Sequence, residues 1–327
     1  MRIGITGGAG YIASHVIQDL LELGHEITVI DNMSSGNPEN IFWDRSGYNF
    51  LGGDIMTPSG LDAFFAARPE IIFHFAASKA AGESMEVPEK YAANNLRGTL
   101  GLLERMITSD CRYFIFSSSA AVYGNPRYLP IDEEHPLAPE NYYGYTKKAI
   151  EDNLAWFSRL KNIRFAALRY FNAAGYDVAG RVQGLEFNPR NLLPIVMEVA
   201  AGQREYMDVY GTDYDTPDGT CIRDYIHIND LASGHVKAMQ TIVEKDKDLI
   251  VNLGSTNGLS VQEMVEAARE ITGRPIPTRE VERRAGDPAK LVASSERALR
   301  EMNWKAEHSD ARTLVESMWK VYSRKFQ

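Results

Sequence analysis

The chain has 327 residues, of which 44% are hydrophobic and 24% charged, and its formal net charge is −9. This composition is typical of a globular protein, and the length suits one large α/β domain with a smaller lobe. The acidic balance argues against a nucleic acid or an anionic membrane as the main partner. Cys111 and Cys221 are the two cysteines and stand far apart, so we expect a reducing compartment and no disulfide framework.

The start of the chain and its apolar runs predict where the protein works. A strand-like run, "RIGIT" (2–6), begins almost at the first residue, so we expect no signal peptide. The longest apolar stretches, such as "EIIFHFAA" (70–77), are far shorter than a membrane span. The seven histidines are scattered among acids and aromatics, a pattern that predicts no metal site. We therefore expect a soluble, cytoplasmic protein without a metal.

The first half of the chain alternates short apolar runs with amphipathic segments. The predicted strands are "RIGIT" (2–6), "EITVID" (26–31), "IIFHFA" (71–76), "RYFIFSS" (112–118) and "IRFAALRY" (163–170). Helices are predicted over 10–23, over about 89–107 and from the segment 141–150 onward. Strands separated by helices of this length indicate βαβ units. The fold class is therefore predicted to be α/β, a Rossmann-type, doubly wound parallel sheet.

After Tyr170 the pattern becomes weaker and rich in loops, which predicts a second, smaller α/β lobe. The later elements predicted are a helix at about 190–201, a strand at 207–211, a helix at 229–243 and a strand at 249–253. We interpret the last two as a return to the large sheet. "LSVQEMVEAAREITG" is predicted to be a helix, because Ser260 and Glu263 have the spacing of a capping box and Gly273 ends it.

The first strand leads into a glycine-rich turn, "ITGGAGYIASH". Gly7, Gly10 and Ala13 have the spacing that places backbone N–H groups and a helix N-terminus against a pyrophosphate. Asp31 ends the next strand, where an acid accepts hydrogen bonds from a ribose 2′-hydroxyl and repels a 2′-phosphate. This combination predicts NAD rather than NADP. The alternative for Asp31 is a strand-end cap. Asp54 in "GGDIM" is either an adenine contact or a loop aspartate.

The segment "NYYGYTKKAI" (141–150) contains a candidate base. In a helix, residues four apart share a face, and Tyr143 has Lys147 at that spacing. Tyr145 and Lys148, three apart, remain an alternative that spacing alone leaves open. A free phenol of this kind has a pKa near ~10. A lysine and an oxidised nicotinamide close to it would lower that pKa, because their positive charges favour the phenolate. The serines of "FSSSAAVYG" (116–124) follow a strand and would complete a proton relay.

Nine motifs occur in the same order over nearly the whole chain. They are "TGGAGYIASH", "DN" (31–32), "HFAASKA", "NN" (94–95), "SSSAAVYG", "YGYTK", "RYFNAAG", "GTCIRDYIH" and "RRAGD". This set resembles the extended short-chain dehydrogenase/reductase family, and within it the enzymes that invert C4 of a UDP-hexose.

The resemblance implies a catalytic role for Tyr143 as base, for Lys147 as the residue that orients the nicotinamide ribose, and for Ser119 as a partner of the sugar 4-oxygen. It implies NAD as a tightly held cofactor, bound by Gly7, Gly10, Tyr11, Ile12, Asp31, Asn32, Asp54, Ile55, Phe75, Ala76, Ala77, Lys79, Asn94, Tyr143, Lys147 and Tyr170. It also implies binding of the UDP-sugar by Ser119, Tyr143, Asn172, Asn191, Leu192, Tyr210, Arg223, Arg284 and Asp287.

The same resemblance implies how these sites are distributed. Residues 1–170, with return segments at about 223–255, would form the NAD-binding domain, and residues 171–222 and 256–327 the UDP-sugar-binding lobe. A homodimer would form through the helices near 89–107 and 148–160. Leu291 lies at the position that, in members of the family, decides how large a sugar is accepted. A leucine is intermediate in size, so it does not decide whether N-acetylhexosamines are accepted.

Four other functions are compatible with parts of this pattern. A nucleotide-sugar 4,6-dehydratase needs an acid after the serine, but Ala120 and Ala121 stand there. A 4-epimerase of UDP-N-acetylglucosamine, a UDP-pentose or UDP-glucuronate is the main alternative. A nucleotide-sugar dehydrogenase shares the site but releases its cofactor. A non-catalytic NAD sensor is disfavoured because Tyr143, Lys147 and Ser119 occur together.

Overall fold

The computed structural model describes residues 1–187, 189–284 and 286–326. Its strands, numbered in chain order, are β1 (Arg2–Thr6), β2 (Glu26–Asp31), β3 (Tyr48–Gly52), β4 (Ile71–His74), β5 (Tyr113–Ser117), β6 (Arg164–Tyr170), β7 (Asn172–Ala174), β8 (Met207–Tyr210), β9 (Ile222–His227), β10 (Leu249–Leu253), β11 (Gly258–Ser260), β12 (Thr278–Val281) and β13 (Lys290–Leu291).

The helices, numbered in the same way, are α1 (Tyr11–Glu22), α2 (Pro58–Ala66), α3 (Ala81–Glu86), α4 (Pro88–Tyr91), α5 (Gly98–Ile107), α6 (Tyr142–Lys161), α7 (Leu192–Ala200), α8 (Ile228–Lys245), α9 (Val261–Thr272), α10 (Glu296–Met302) and α11 (Ala311–Lys325). A π-helical segment, Ala92–Arg97, joins α4 to α5.

A seven-stranded sheet forms the larger lobe, with the strand order β10-β6-β5-β4-β1-β2-β3. All six strand pairs in it are parallel. The order reverses direction between β1 and β4, which is where such sheets bind ligands, beyond the carboxyl ends of the strands. The predicted Rossmann-type parallel sheet is confirmed.

Both faces of this sheet are buried, because successive side chains of a strand point to opposite faces. In β4, Ile71 and Phe73 face a core made with α1 and α8, while Ile72 faces a core made with α2, α5 and α6. Continuous apolar runs such as "IIF" in β4 follow from this double burial.

The smaller lobe has a sheet of β7, β9, β11 and β13, a separate parallel pair β8–β12, and the helices α7, α9 and α11. No strand is predicted from the sequence at β9, in the loop-rich part of the chain after Tyr170. β9 carries Asp224 and His227, both fully buried, and these polar residues conceal the strand pattern. The carboxylate of Asp224 accepts hydrogen bonds from the backbone of Ser255 and Ala293 and from the Ser255 hydroxyl, which explains its burial.

The chain passes between the lobes repeatedly. After β9 in the smaller lobe, α8 and β10 return to the large sheet, so this return begins at Ile228 and not at about residue 223. A second difference concerns α10, which falls in the range predicted for the smaller lobe. Ala298, Met302 and the following Trp304 pack into the core of the large sheet together with α8 and β10.

No helix among these residues is long and apolar enough to cross a membrane. Over the same residues, no cluster of three histidine, cysteine or acidic side chains has the arrangement of a metal site. Both thiols are free, with Cys111 buried and Cys221 partly buried.

Candidate active site

The turn between β1 and α1 has the form of a phosphate-binding loop. Gly7 has a positive φ of 72°, and a Cβ atom there would lie 2.7 Å from the backbone nitrogen of Ala76. Only glycine therefore fits between the two strand ends. Helix α1 begins after Gly10, which provides no side-chain cap, so its first N–H groups point toward a possible anion. Ala13 is buried and allows the close packing predicted for this position.

Asp31 lies beside this turn at the end of β2 and is 8% exposed. Its carboxylate accepts hydrogen bonds from the backbone N–H groups of Ala9 at 3.0 Å and Met33 at 2.8 Å. Burial raises the pKa of Asp31, and these two bonds oppose the rise. Asn32 donates to Asp54 at 3.0 Å. Asp31, Asn32 and Asp54, which were predicted to contact the dinucleotide, thus lie together. Asp31 also acts as a strand-end cap, which was the alternative role given for it.

The other predicted dinucleotide residues lie on both sides of the turn. Phe75 and Ala76 follow β4 and pack against the two cores, as Ile12 does, while Ile55 lies within one of them. Ala77 and Asn94 are partly buried, and Asn94 donates to the hydroxyl of Ser78 at 3.3 Å.

Two of the predicted cofactor residues are bound to the loop that follows β7. Lys79 forms an ion pair with Glu186, and the Tyr11 hydroxyl donates to the carbonyl of Gly175. The Tyr11 side chain therefore joins the two lobes.

Tyr143 and Lys147 lie in the first turns of α6. Asn141 caps the helix by accepting from the N–H of Gly144 at 2.8 Å. A Cβ atom on Gly144 would lie 2.4 Å from the carbonyl oxygen of Ala121, so this glycine brings α6 against the turn that carries Ser119. The Lys147 ammonium is 5.7 Å from the centre of the Tyr143 ring and donates to the carbonyl of Ser117 at 2.7 Å.

Burial dominates the electrostatics of this pair. It raises the pKa of Tyr143, and a hydrogen bond with Ser119 opposes the rise. It lowers the pKa of Lys147 to about 7, against the attraction of Glu151 one turn further along α6. The Tyr170 hydroxyl, 2.6 Å from that of Ser117, completes the polar groups on this side.

The alternative pair, Tyr145 and Lys148, has different surroundings. Tyr145 is 48% exposed, with its ring centre 5.4 Å from that of Tyr142 and tilted to it, and Lys148 pairs with Asp152 at 2.8 Å. Helix geometry thus turns this pair to the surface, whereas Tyr143 is directed toward Ser119.

A cavity of about 760 Å³ extends from Ser119 into the smaller lobe. Eight of the nine residues predicted to bind the substrate line it, together with Leu291. They are Ser119, Asn172, Asn191, Leu192, Tyr210, Arg223, Arg284 and Asp287. The ninth, Tyr143, is not among the lining residues but lies next to one of them, since Ser119 lowers its pKa against the effect of burial.

Arg223 is the buried cation of this cavity, with its side chain 11% exposed. Nη1 donates to the carbonyl of Ile222 at 2.9 Å, while Nη2 lies 3.4 Å from a carboxylate oxygen of Asp287. Nη2 has no hydrogen-bond partner among the described residues. A buried donor without a partner is rare in proteins, and here it suits a phosphate oxygen of a bound ligand.

The remaining predicted contacts surround this cation. Arg284 lies over the ring of Tyr210, with its guanidinium carbon 3.9 Å from the ring centre, so one face of that ring is covered. The Asn172 amide donates to the carbonyl of Asp224 at 2.9 Å, which ties β7 to β9. Asn191 precedes α7 and makes no side-chain cap, so its amide remains available to a ligand.

Some residues of the cavity were not predicted. Asn125 donates to Glu140 at 2.5 Å, and both line the wall near Ser119, while Arg190, Cys221, Tyr206 and Arg279 line other parts. These residues lie in loops or at strand ends, where no periodic pattern marks them. Glu151 forms a buried ion pair with Arg169 beneath the site. The sequence signal for this buried group is that Glu151 stands four residues after Lys147, on the same face of α6.

Residues 3–254 match the family model described as NAD dependent epimerase/dehydratase family. The chain belongs to this family, as the motifs predicted. It is 43% identical to the UDP-glucose 4-epimerase of Halalkalibacterium halodurans over 98% of this chain and 95% of that one. It is likewise 43% identical to the UDP-glucose 4-epimerase of Bacillus subtilis, over 94% of this chain and 92% of that one.

Solved structures agree with this assignment. The UDP-glucose 4-epimerase from Brucella ovis in complex with NAD has a TM-score of 0.94 at 39% identity and covers 98% of each chain. The enzyme from Bifidobacterium longum in complex with NAD+ and UDP has a TM-score of 0.92 at 37% identity, covering 99% of this chain and 98% of that one.

Proposed function

We propose that this chain is an NAD-dependent 4-epimerase of UDP-hexoses that interconverts UDP-galactose and UDP-glucose. The observation that carries the proposal is the cavity that runs from Ser119, next to Tyr143, to Nη2 of Arg223, which makes no hydrogen bond within the described part of the chain. A reactive phenol at one end and an anion-binding arginine at the other match a ligand with a sugar attached to a diphosphate. The two relatives named above carry this activity in their names.

The chemistry is assigned to three side chains. Tyr143 removes the proton of the C4 hydroxyl and later returns it, and Ser119 holds the 4-oxygen. Lys147, when protonated, is close enough to stabilise the phenolate of Tyr143. Burial disfavours both the phenolate of Tyr143 and the ammonium of Lys147. In a site from which water is excluded, each charge therefore needs the other beside it.

The cofactor is assigned to the carboxyl edge of the large sheet. The Gly7–Gly10 turn offers N–H groups to a pyrophosphate, and Asp31 offers a carboxylate to a ribose diol. NAD, when bound, supplies an acceptor that takes the hydride from C4 and gives it back. A carboxylate at Asp31 also disfavours the 2′-phosphate of NADP.

The UDP part is assigned to the smaller lobe. Arg223 and Arg284 bind the diphosphate, Tyr210 lies against the base, and Asp287 and Asn191 bind polar atoms of the nucleotide. Inversion requires that the sugar turn over while the nucleotide stays in place. The dense set of charged groups at the nucleotide end and the small residues Ala120, Ala121 and Gly124 at the sugar end suit this division.

We further propose that the protein is a cytoplasmic homodimer. Helix α6 exposes Trp156 (59%) and Leu160 (68%), and Ile107 at the end of α5 is 43% exposed. Apolar side chains of this size in neighbouring helices favour contact with a second copy. Two free thiols suit a reducing compartment.

Two assays of the purified protein test the function. The protein is denatured and the supernatant is assayed for NAD, with near-stoichiometric release expected. The intact protein is then given UDP-galactose, UDP-N-acetylgalactosamine, UDP-xylose and UDP-glucuronate, and the C4 isomers are measured. Conversion of UDP-galactose is expected. Loss of NAD on desalting, with net NADH formation, would instead identify a dehydrogenase. The second substrate shows whether Leu291 excludes the acetamido group.

A further inference from the structure

His74, the last residue of β4, lies on a path of buried hydrogen bonds. Its ring is 2% exposed, with Nδ1 2.7 Å from the hydroxyl of Thr6 and Nε2 2.8 Å from the hydroxyl of Thr99. The Thr99 hydroxyl donates to the carbonyl of Asn95 at 2.6 Å. The path thus joins the end of β1, next to the glycine-rich turn, to the π-helical segment.

Asn95 continues the path to α6. Its amide nitrogen donates to the hydroxyl of Thr146 at 3.1 Å and to the carbonyl of Ser78 at 3.0 Å, and its amide oxygen accepts from the N–H of Ser78 at 2.9 Å. The Thr146 hydroxyl donates to the carbonyl of Tyr143 at 2.7 Å. Asn95 and Thr146 are almost fully buried. A π-helical irregularity such as the one around Asn95 often marks a functional position.

The hydrogen count fixes the direction of every bond around His74. The Thr99 hydroxyl donates its proton to Asn95, so it can only accept from the ring, and Nε2 carries the hydrogen. Nδ1 then accepts from Thr6, whose oxygen accepts from the N–H of Ala76 at 3.4 Å. Burial, with a smaller contribution from Lys147, lowers the pKa of His74 to about 3. The ring is therefore neutral at working pH, and one arrangement satisfies all these groups.

We propose that His74 is a positioning residue that, through Thr99, Asn95 and Thr146, holds the reactive turn of α6 in register with the dinucleotide turn. Both ends of the path belong to the proposed site, since Thr6 precedes Gly7 and the last acceptor is the backbone of Tyr143. The inference rests on the proposed function, because register matters when a proton and a hydride leave one carbon. Catalytic groups lose rate when displaced by fractions of an ångström.

Variants of His74 test this role. His74→Phe keeps an aromatic ring beside Phe114 and Phe116 but removes both hydrogen bonds, whereas His74→Gln keeps a donor and an acceptor. We expect His74→Phe to lower kcat by about tenfold or more, with KM for UDP-galactose and NAD content unchanged, and His74→Gln to recover part of the loss. Thr146→Val, which removes the hydroxyl that accepts from Asn95 and donates to Tyr143, should lower kcat in the same way.

The matched control is His135→Phe, at a second buried histidine that accepts from the N–H of Arg127 at 2.8 Å and lies outside the path. It should leave kcat unchanged. A lower melting temperature of His74→Phe with normal kcat, or a raised KM with normal kcat, would overturn the proposal.

Hydrogen exchange of the NAD-bound protein gives a readout that needs no turnover. Backbone amides of residues 92–99 and 141–147 should exchange faster in His74→Phe than in the unaltered protein, while residues 261–272 should not change. Unchanged exchange at 141–147 would overturn the positioning role. An inactive unaltered protein would count against the proposed function instead, so the two failures are distinguishable.

Discussion

Lys147 is buried and Tyr143 is partly buried, and burial acts against the charge of each. In such a place the Tyr143 phenol and the Lys147 amine both tend to be neutral, so the lysine alone does not produce a phenolate. The charge that tips the balance has to come from a ligand, since the proposed site binds an oxidised nicotinamide next to the phenol. The base is therefore expected to become active only in the NAD-bound protein.

The first residue-scale prediction compares two tyrosines that are two positions apart. Tyr143→Phe should lose roughly a hundredfold or more of kcat, because the proton of the C4 hydroxyl then has no acceptor. It should still contain NAD. Tyr145→Phe is the control, since this side chain is largely exposed and its partner Lys148 pairs with Asp152. Steady-state rates of the two variants decide the assignment, which is wrong if Tyr145→Phe is the more damaging.

A second prediction concerns Lys147 and the pH dependence of stability in NAD-depleted protein. The pKa of Lys147 falls from its ordinary 10.5 to about 7 in the folded chain. Between these values the unfolded chain holds a proton that the folded chain has lost, so folding stability rises with pH in that window. Lys147→Met removes this contribution. Its melting temperature should exceed that of the unaltered protein at pH 6, and the gap should close toward pH 10.

If the gap between these two melting curves is constant with pH, the lysine keeps its proton in the folded chain. Lys148→Met is a suitable control, because Lys148 is an exposed neighbour in the same helix. It should show no such window.

At this scale, the structure brings together residues that the motifs named, while their roles stay predictions. Arg223, Arg284 and Asp287 line the cavity, and Asp31 lies beside the turn. Helical spacing alone could not choose between Tyr143 and Tyr145, because the choice depends on which face of α6 meets the sheet. Glu140 and Arg190 had no signal, since loops bring them to the cavity from positions without periodicity.

Among the elements, α9 was predicted with its cap and end. Ser260 and Glu263 form a reciprocal capping box, and Gly273 ends the helix with a positive φ of 63°. Strand β9 was missed because its buried polar residues, Asp224 and His227, are satisfied by partners more than 30 positions away in the sequence. Local sequence patterns predict helix caps, but they do not predict hydrogen-bond partners that come from distant segments of the chain.

The element-scale prediction uses this cap. Ser260→Ala leaves the N–H of Glu263 without its 3.0 Å acceptor and should lower the free energy of unfolding by about 1 kcal/mol. A fall in melting temperature, with NAD content unchanged, is the expected result. Gln262→Ala is the control in the same turn, since the Gln262 side chain pairs only with Glu266 across the helix surface. Equal melting temperatures for the two variants would contradict the capping role.

For the whole molecule, the parallel sheet follows from the alternation of strands and helices, whereas neither the strand order nor the assembly follows from alternation or composition. We predict that Trp156→Glu converts the proposed dimer to a monomer, because a charge replaces a large apolar side chain in its interface. Trp43→Glu is the control, since Trp43 is also exposed (68%) but lies in the loop before β3. Sedimentation or light scattering of both variants measures the mass, and a mass unaffected by Trp156→Glu would exclude this surface.

The repeated passage of the chain between the lobes has a consequence for how such a protein can diversify. Because α8, β10 and α10 complete the larger lobe after the smaller one has begun, neither lobe is a contiguous block that recombination could exchange intact. New sugar preferences are then reached through point substitutions in the cavity wall, at positions such as Leu291 or Glu140. Grafting a foreign specificity onto this scaffold would require several simultaneous splices, whereas altering two or three wall residues leaves the shared framework undisturbed.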